Sequence, residues 1–185
     1  MRKLLFKSLM QRPLTEIPPD PDQAAMNEIA AAFERVARRR LGRSLAIREV
    51  DAGSCNGCEL EIHAVNNAYY DVERFGIRFV ASPRHADVLL VTGPVTRNMR
   101  DALEKTYDAM PNPKWVVALG DCGRDGGCFA GSYAVVGGVS EVIPVDLHIP
   151  GCPPTPIAIL KGLLALLEQA SADTVSARSR HASLS

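Results

Sequence analysis

"KWVVALG", Lys114 to Gly120, holds an unbroken apolar run from Trp115 to Leu119 and closes on a glycine. The run is short and has no polar alternate positions. It therefore predicts a strand covered on both faces, as in a parallel sheet, rather than one with a face open to water. "DVLLVTG" (87–93) repeats the pattern, and "SLAIREVD" (44–51) and "IRFVAS" (77–82) are further strand candidates. "SEVIPVD" (140–146) reads as another strand, placed at an edge by Pro144. Helical segments alternate with these strands at 58–74, 96–110 and 154–169. The second is amphipathic, with Asp101 and Lys105 one turn apart. The third has its prolines in the first turn, where a missing N–H is tolerated. The alternation predicts an α/β fold, a flavodoxin-like open parallel sheet with helices on both faces. In such sheets the functional rim lies at the carboxyl ends of the strands.

Upstream, the prolines of "RPLTEIPPDPDQ" make residues 1–22 an extended N-terminal arm. Asp22 can cap a leading helix over about 23–41, with Met26, Ile29, Ala30, Phe33, Val36 and Ala37 on one apolar face. Residues 23–170 then form a single domain, and the polar, small-residue run 171–185 is expected to be a disordered tail. With 185 residues, 46% of them apolar, the chain can bury a real core. Basic and acidic residues balance at 21 each, so charge gives no reason to expect nucleic acid as a partner. No apolar run approaches the ~18 residues that span a bilayer. The start, "MRKLLFKSLMQRP", is interrupted by Lys7 and lacks a small-residue cleavage site, so it does not read as a secretory signal. It can instead lie as an amphipathic turn at a membrane surface, or simply fray.

Five cysteines, an odd number without an export signal, argue against a disulfide framework. Cys55 and Cys58, in "GSCNGCELEI", follow the first strand and open a helix. Cys122 lies just past "VVALG", and Cys152 lies in "HIPGCPPTP" between the last strand and the last helix. Three separate loops thus carry four thiols to strand ends, which share one rim in a parallel sheet. Four thiolates suit a tetrahedral zinc or a [4Fe–4S] cluster. One pair plus two distant singletons differs from the two tight pairs usual for structural zinc, and fits a cluster at the lip of a domain. A Cys-x-x-Cys at a helix start is also the thioredoxin arrangement, which would leave Cys122 and Cys152 unexplained. Cys128, six residues past Cys122, is an alternative third ligand on spacing alone. Cys122 is preferred because it sits at the strand end, and Cys128 is expected to be a packed neutral thiol.

"SPRHADVLLVTGPVTRNMRDALEKTYDAMPNPKWVVALGDC" and "VIPVDLHIPGCPPTPIAILKGLLAL" resemble the 20-kDa iron–sulfur subunit family of respiratory complex I (NADH:quinone oxidoreductase), which shares ancestry with [NiFe] hydrogenase small subunits. In complex I the first two ligands are adjacent cysteines. Here Asn56 and Gly57 separate them, and "GSCNGCELEI" is more similar to the small subunit of membrane-bound, energy-converting [NiFe] hydrogenases of the formate hydrogenlyase type. The resemblance implies one [4Fe–4S] cluster on Cys55, Cys58, Cys122 and Cys152, in a non-autonomous oxidoreductase subunit. It also implies a large subunit bearing a nickel–iron or quinone site, integral membrane subunits, and a peripheral place on the cytoplasmic face of the inner (plasma) membrane. Cysteines for a single cluster further imply a ferredoxin-like two-cluster subunit that supplies electrons. A structural zinc or assembly module is the alternative of another class.

Other groups stand near these loops. Arg35, Arg38, Arg39, Arg40 and Arg43 form a basic cluster that is either a solvated face or a contact with a membrane arm. Glu59 and His63 share a helix face beside the cysteine loop, with Glu61 between them, either as interface polar groups or as a proton path. Arg84 and His85 can approach the cluster region or a partner. Trp115 is expected in the core.

Overall fold

A computed structural model describes residues 43–182, with side chains to Gln169, and before them Glu28, Ile29, Ala31, Ala32 and Arg35, which are helical. The arm expected over 1–22, most of the leading helix, and Arg38, Arg39 and Arg40 lie outside the described residues. The strands are β1 (Leu45–Asp51), β2 (Ile77–Phe79), β3 (Val88–Thr92), β4 (Val95–Thr96), β5 (Trp115–Leu119), β6 (Val135–Gly137) and β7 (Leu147–Ile149). The helices that follow them are α1 (Gly57–Val65), α2 (Arg100–Asp108), α3 (Gly120–Asp125) and α4 (Pro156–Ala182).

The main sheet runs β2-β1-β3-β5-β7 with every pair parallel, while β4 and β6 form a small antiparallel ribbon. Setting the ribbon aside, this is the flavodoxin-like order, and the direction of winding switches between β1 and β3. The strand period explains the apolar runs. Val88, Leu90, Val117 and Leu119 face one cluster, which Ile62 and Val65 of α1 and Ile159, Leu160 and Leu163 of α4 complete. Leu89, Val91, Val116 and Ala118 face the other, with Leu103 of α2, Val139 and Ile143. Both faces are covered, so β3 and β5 have no polar alternate positions. Trp115 is half-buried and packs against the first cluster.

Several expected boundaries move, each for a local reason. The helix expected over 58–74 stops at Val65, because Asn66 Nδ2 donates to the Ile62 carbonyl at 2.8 Å and the Asn67 side chain accepts from the Tyr69 and Tyr70 N–H groups. A 3-10 turn, Val72–Phe75, takes the rest. The segment 140–146 is not a strand. Val139–Glu141 is a 3-10 turn, and β7 begins only after Pro144, which has no ladder donor. Asp146 bridges the gap, its carboxylate accepting the Val116 N–H at 2.7 Å. The final helix does not stop at 169 but runs to Ala182, its continuation past 169 being free of glycine and proline. On α2 the pair one turn apart is Arg100–Glu104, at 3.1 Å.

The amino ends of the strands are held by Asp87, which is nearly buried. Its carboxylate accepts the Ala46 N–H at 3.0 Å and pairs with both terminal nitrogens of Arg43. Arg43 therefore has a partner within the fold. Arg84 and His85 sit in the 3-10 turn that leads into β3, at this same amino end. A parallel strand of that length separates them from the opposite rim by ~16 Å, so they are not placed to contact the cysteines. No helix among the described residues is long and apolar enough to cross a membrane.

Candidate functional site

At the carboxyl rim, the segments after β1, β3, β5 and β7 close on one cavity of about 100 Å³. Cys55, Cys58, Cys122 and Cys152 all line it, with Ser54, Gly57, Gly93, Asp121, Gly151 and Pro153. Cys128 does not. Its side chain is exposed, contrary to the packed thiol expected, and its part in the site is played by its backbone. The Cys128 N–H hydrogen-bonds the Cys122 sulfur and favours its thiolate.

Each loop is shaped by short polar bonds. Asp51 Oδ1 accepts the N–H groups of Gly53 and Ser54, each at 2.7 Å, and Ser54 Oγ accepts that of Asn56 at 3.0 Å. This pair of side-chain turns bends the chain off β1 and delivers Cys55 and Cys58 to the mouth of α1. The loops after β5 and β7 are stitched together. The Asp121 N–H donates to the Gly151 carbonyl at 2.9 Å, and Asp121 Oδ1 accepts the Gly151 N–H at 3.2 Å. His148 Nε2 lies 3.0 Å from the Gly120 carbonyl. Thr155 Oγ1 accepts the Ala158 N–H at 3.3 Å and caps α4 behind Cys152.

Two glycines let the sulfurs approach the backbone. Gly120 has φ +83°, and a Cβ there would lie 2.8 Å from Cys58 Sγ. Gly127 has φ +50°, and a Cβ there would lie 2.8 Å from Cys122 Sγ. Left-handed backbone and lack of space both demand glycine at these positions.

The thiols also sense one another. Burial, reinforced by the charges of Glu59, Cys55, Cys122 and Cys152, pushes the Cys58 thiol up to about 12. Burial likewise raises Cys122, with Cys128 and Cys152 adding to it. Four neighbouring thiolates repel; a cationic metal group between them reverses that balance and holds them deprotonated. Four sulfur donors in a lining with three glycines and one proline fit a soft metal group such as an iron–sulfur cluster. Among the described residues, no three His, Cys, Asp or Glu side chains close around a single metal ion.

Residues 55–166, which contain all five cysteines, match the family model described as NADH ubiquinone oxidoreductase, 20 Kd subunit. The chain belongs to this family. Formate hydrogenlyase subunit 7 of Escherichia coli is 46% identical to it over 152 residues, covering 80% of this chain and 60% of that protein. The chain thus spans less than two thirds of that relative's length. The probable membrane-bound hydrogenase subunit mbhJ of Pyrococcus furiosus is 47% identical over 129 residues, 70% of this chain and 77% of that one. Among solved structures, a chain of the membrane-bound sulfane sulfur reductase, an archaeal respiratory membrane complex, superposes with a TM-score of 0.61 at 36% identity. The match covers 78% of each chain.

Residues beyond the cysteines were less visible in the sequence. Asp51, Ser54 and Asp121 shape the cavity, and their signal was their place within two residues of a glycine at or just past the end of a strand, where such side chains form turns and caps. Glu59 and His63 do share a surface, as their spacing predicts. It is the wall of a second cavity together with Arg48 and Glu49.

Proposed function

We propose that this chain is the electron-transferring small subunit of a membrane-bound [NiFe] hydrogenase complex and holds one [4Fe–4S] cluster on Cys55, Cys58, Cys122 and Cys152. The observation that carries the proposal is the convergence of these four thiols, from three loops, on one cavity at the sheet's switch point. A lone zinc ion sits about 2.3 Å from its thiolates and would leave most of a cavity of about 100 Å³ empty. A dithiol switch on Cys55 and Cys58 would leave Cys122 and Cys152, which line the same cavity, without a role.

The bound cluster supplies one-electron chemistry. The chain's residues set its conditions. Buried Cys122 and the stitched Asp121–Gly151 loops keep water from the inner side. The Cys128 N–H offsets negative charge on the Cys122 sulfur, which raises the reduction potential. Cys55 and Cys152 are exposed on the outer side, where a partner can bring its own redox centre close.

The complex would reduce protons or oxidise H2, with or without ion translocation. A large subunit would carry the nickel–iron site, and a ferredoxin-like two-cluster subunit would feed electrons in. Integral membrane subunits would hold the assembly, with this chain peripheral on the cytoplasmic face of the membrane. The names of the two relatives, one a formate hydrogenlyase subunit and the other a probable membrane-bound hydrogenase subunit, support this assignment. The family model's own description supports a second one, a complex I subunit passing electrons to quinone.

Anaerobic purification of the intact complex tests both. About four iron and four sulfide per chain, with a broad visible absorbance, are expected. Near-stoichiometric zinc without that absorbance would overturn the cluster. A co-purifying large subunit with a Cys-x-x-Cys pair near each end marks the hydrogenase; one without them marks quinone chemistry.

A further inference from the structure

β2 leaves the sheet early. Its pairing with β1 ends at Ile47 and Phe79, while β1 goes on pairing with β3 as far as Asp51 and Thr92. The notch so left is a cavity of about 410 Å³, bounded by Arg48 and Glu49 of β1, by Glu59, Ile62, His63 and Asn66 of α1, and by the departing segment Phe79–Ala81.

Three of its polar side-chain atoms lack partners. Both carboxylate oxygens of Glu59 and the Nε of Arg48 are shielded from water and make no hydrogen bond. No ion pair among the described residues joins Arg48 to either glutamate. Glu49 makes only a long contact, 3.5 Å, with Thr92 Oγ1. Its carboxyl is raised by burial first and then by the charges of Glu59 and Asp51, with Arg48 a smaller, opposing influence. A buried carboxylate with neither water nor a donor is strongly unfavourable, so such groups are normally paired. The wall carries two carboxylates against one guanidinium, with His63 exposed at its side. These groups do not converge as a metal-ion site. Leu60, 60% exposed, stands on α1 next to Glu59 and offers apolar contact to anything docked there.

We infer that the notch is a socket for a basic side chain of a partner subunit: on docking, the Glu59 and Arg48 side chains rotate toward the notch, the guest donates to Glu59 and Glu49, and a carbonyl beside it accepts from Arg48 Nε. This rests on the reading of the chain as one subunit of a complex. The guest is a guanidinium or ammonium group because it supplies both missing donors and the missing charge. Such desolvated charge pairs act as anchors of an interface.

The test uses one substitution in two settings. In the isolated full chain, Glu59→Gln removes an unpaired buried charge without changing shape, so thermal stability should stay level or rise. In the assembled complex, purified through a tag on this chain, the same variant removes half of the anchor. Partner retention through a high-salt wash should fall about tenfold. Glu49→Gln/Glu59→Gln should lose more, and Glu59→Lys should abolish retention. Glu73→Gln, at an exposed position away from the notch, should behave as wild type.

A fall in the stability of the isolated Glu59→Gln chain would mean that the carboxylate already has a partner in its own chain, and would overturn the socket. Wild-type retention by the double variant would do the same. Iron content is measured in every variant. Loss of partners with full iron supports the socket. Loss of both together assigns the effect to the cluster and overturns the socket, whereas zinc in place of iron in the wild-type chain would overturn the proposed function alone.

Discussion

The cysteine cavity and the charged notch meet at adjacent residues, Cys58 and Glu59, yet their polar atoms are held in different ways. Around the cysteines, the chain completes its own geometry. Asp51, Ser54 and Asp121 occupy the loop N–H groups, and glycines stand where a side chain would strike sulfur. In the notch, Glu59 and Arg48 keep buried atoms without partners. A site meant for a small resident group is pre-organised by the fold that carries it. A site completed by another chain leaves its donors and acceptors open until that chain arrives.

The largest effect should come from the thiols. Cys58→Ser or Cys152→Ser should lower iron and sulfide content to a small fraction of wild type. A Cys152→Ser chain with full cluster content would remove Cys152 from the ligand set and break the contrast at its stronger side.

Gly120→Ala comes next. The new Cβ meets Cys58 Sγ at 2.8 Å on a backbone at φ +83°. The strain should cost ~1–3 kcal/mol of stability, read by denaturant unfolding, and should reduce iron content. An unchanged midpoint would show that the cavity is not tightly organised.

A smaller effect is expected on the notch side, as a function of pH. Glu49 binds its proton more tightly folded than unfolded, because its carboxyl is raised above the ordinary value of 4.5 by burial and by Glu59. The folded chain is therefore favoured by this group at low pH. That advantage is lost as pH climbs from below 4.5 through the raised value, and then levels off. Glu49→Gln should flatten this part of the stability profile of the isolated chain. An unaltered profile would mean that Glu49 is already paired.

The smallest effect is predicted for Cys128→Ser. Its side chain is exposed and outside the cavity, and its contribution to Cys122 comes from the backbone. Stability should stay within ~0.5 kcal/mol of wild type, with iron content unchanged in the same preparations.

How much of this was legible beforehand differs along the chain. The runs at 87–93 and 114–120 announced doubly covered parallel strands because burial on both faces removes every polar alternate position. The cysteine loops were legible because strand–helix alternation puts such loops on one rim. Local competition was not. Asn66 and Asn67 ended a helix whose apolar pattern ran on, and Asp146 stood in for strand pairing that Pro144 prevented. β4 and β6 are too short to leave a periodic signal.

By itself, then, the sequence determined the α/β class, the parallel core and the set of loops that carry thiols. Those follow from composition and spacing, which act locally. Only the tertiary structure decided which of Cys122 and Cys128 shares a cavity with the others, because six residues of a glycine-rich turn can aim either sulfur inward. It also decided that Arg84 and His85 lie at the opposite end of the sheet, and that the carboxylate oxygens of half-buried Glu59 are shielded and without a partner. Such placements depend on where distant segments end relative to one another, and no stretch of the chain encodes that alone.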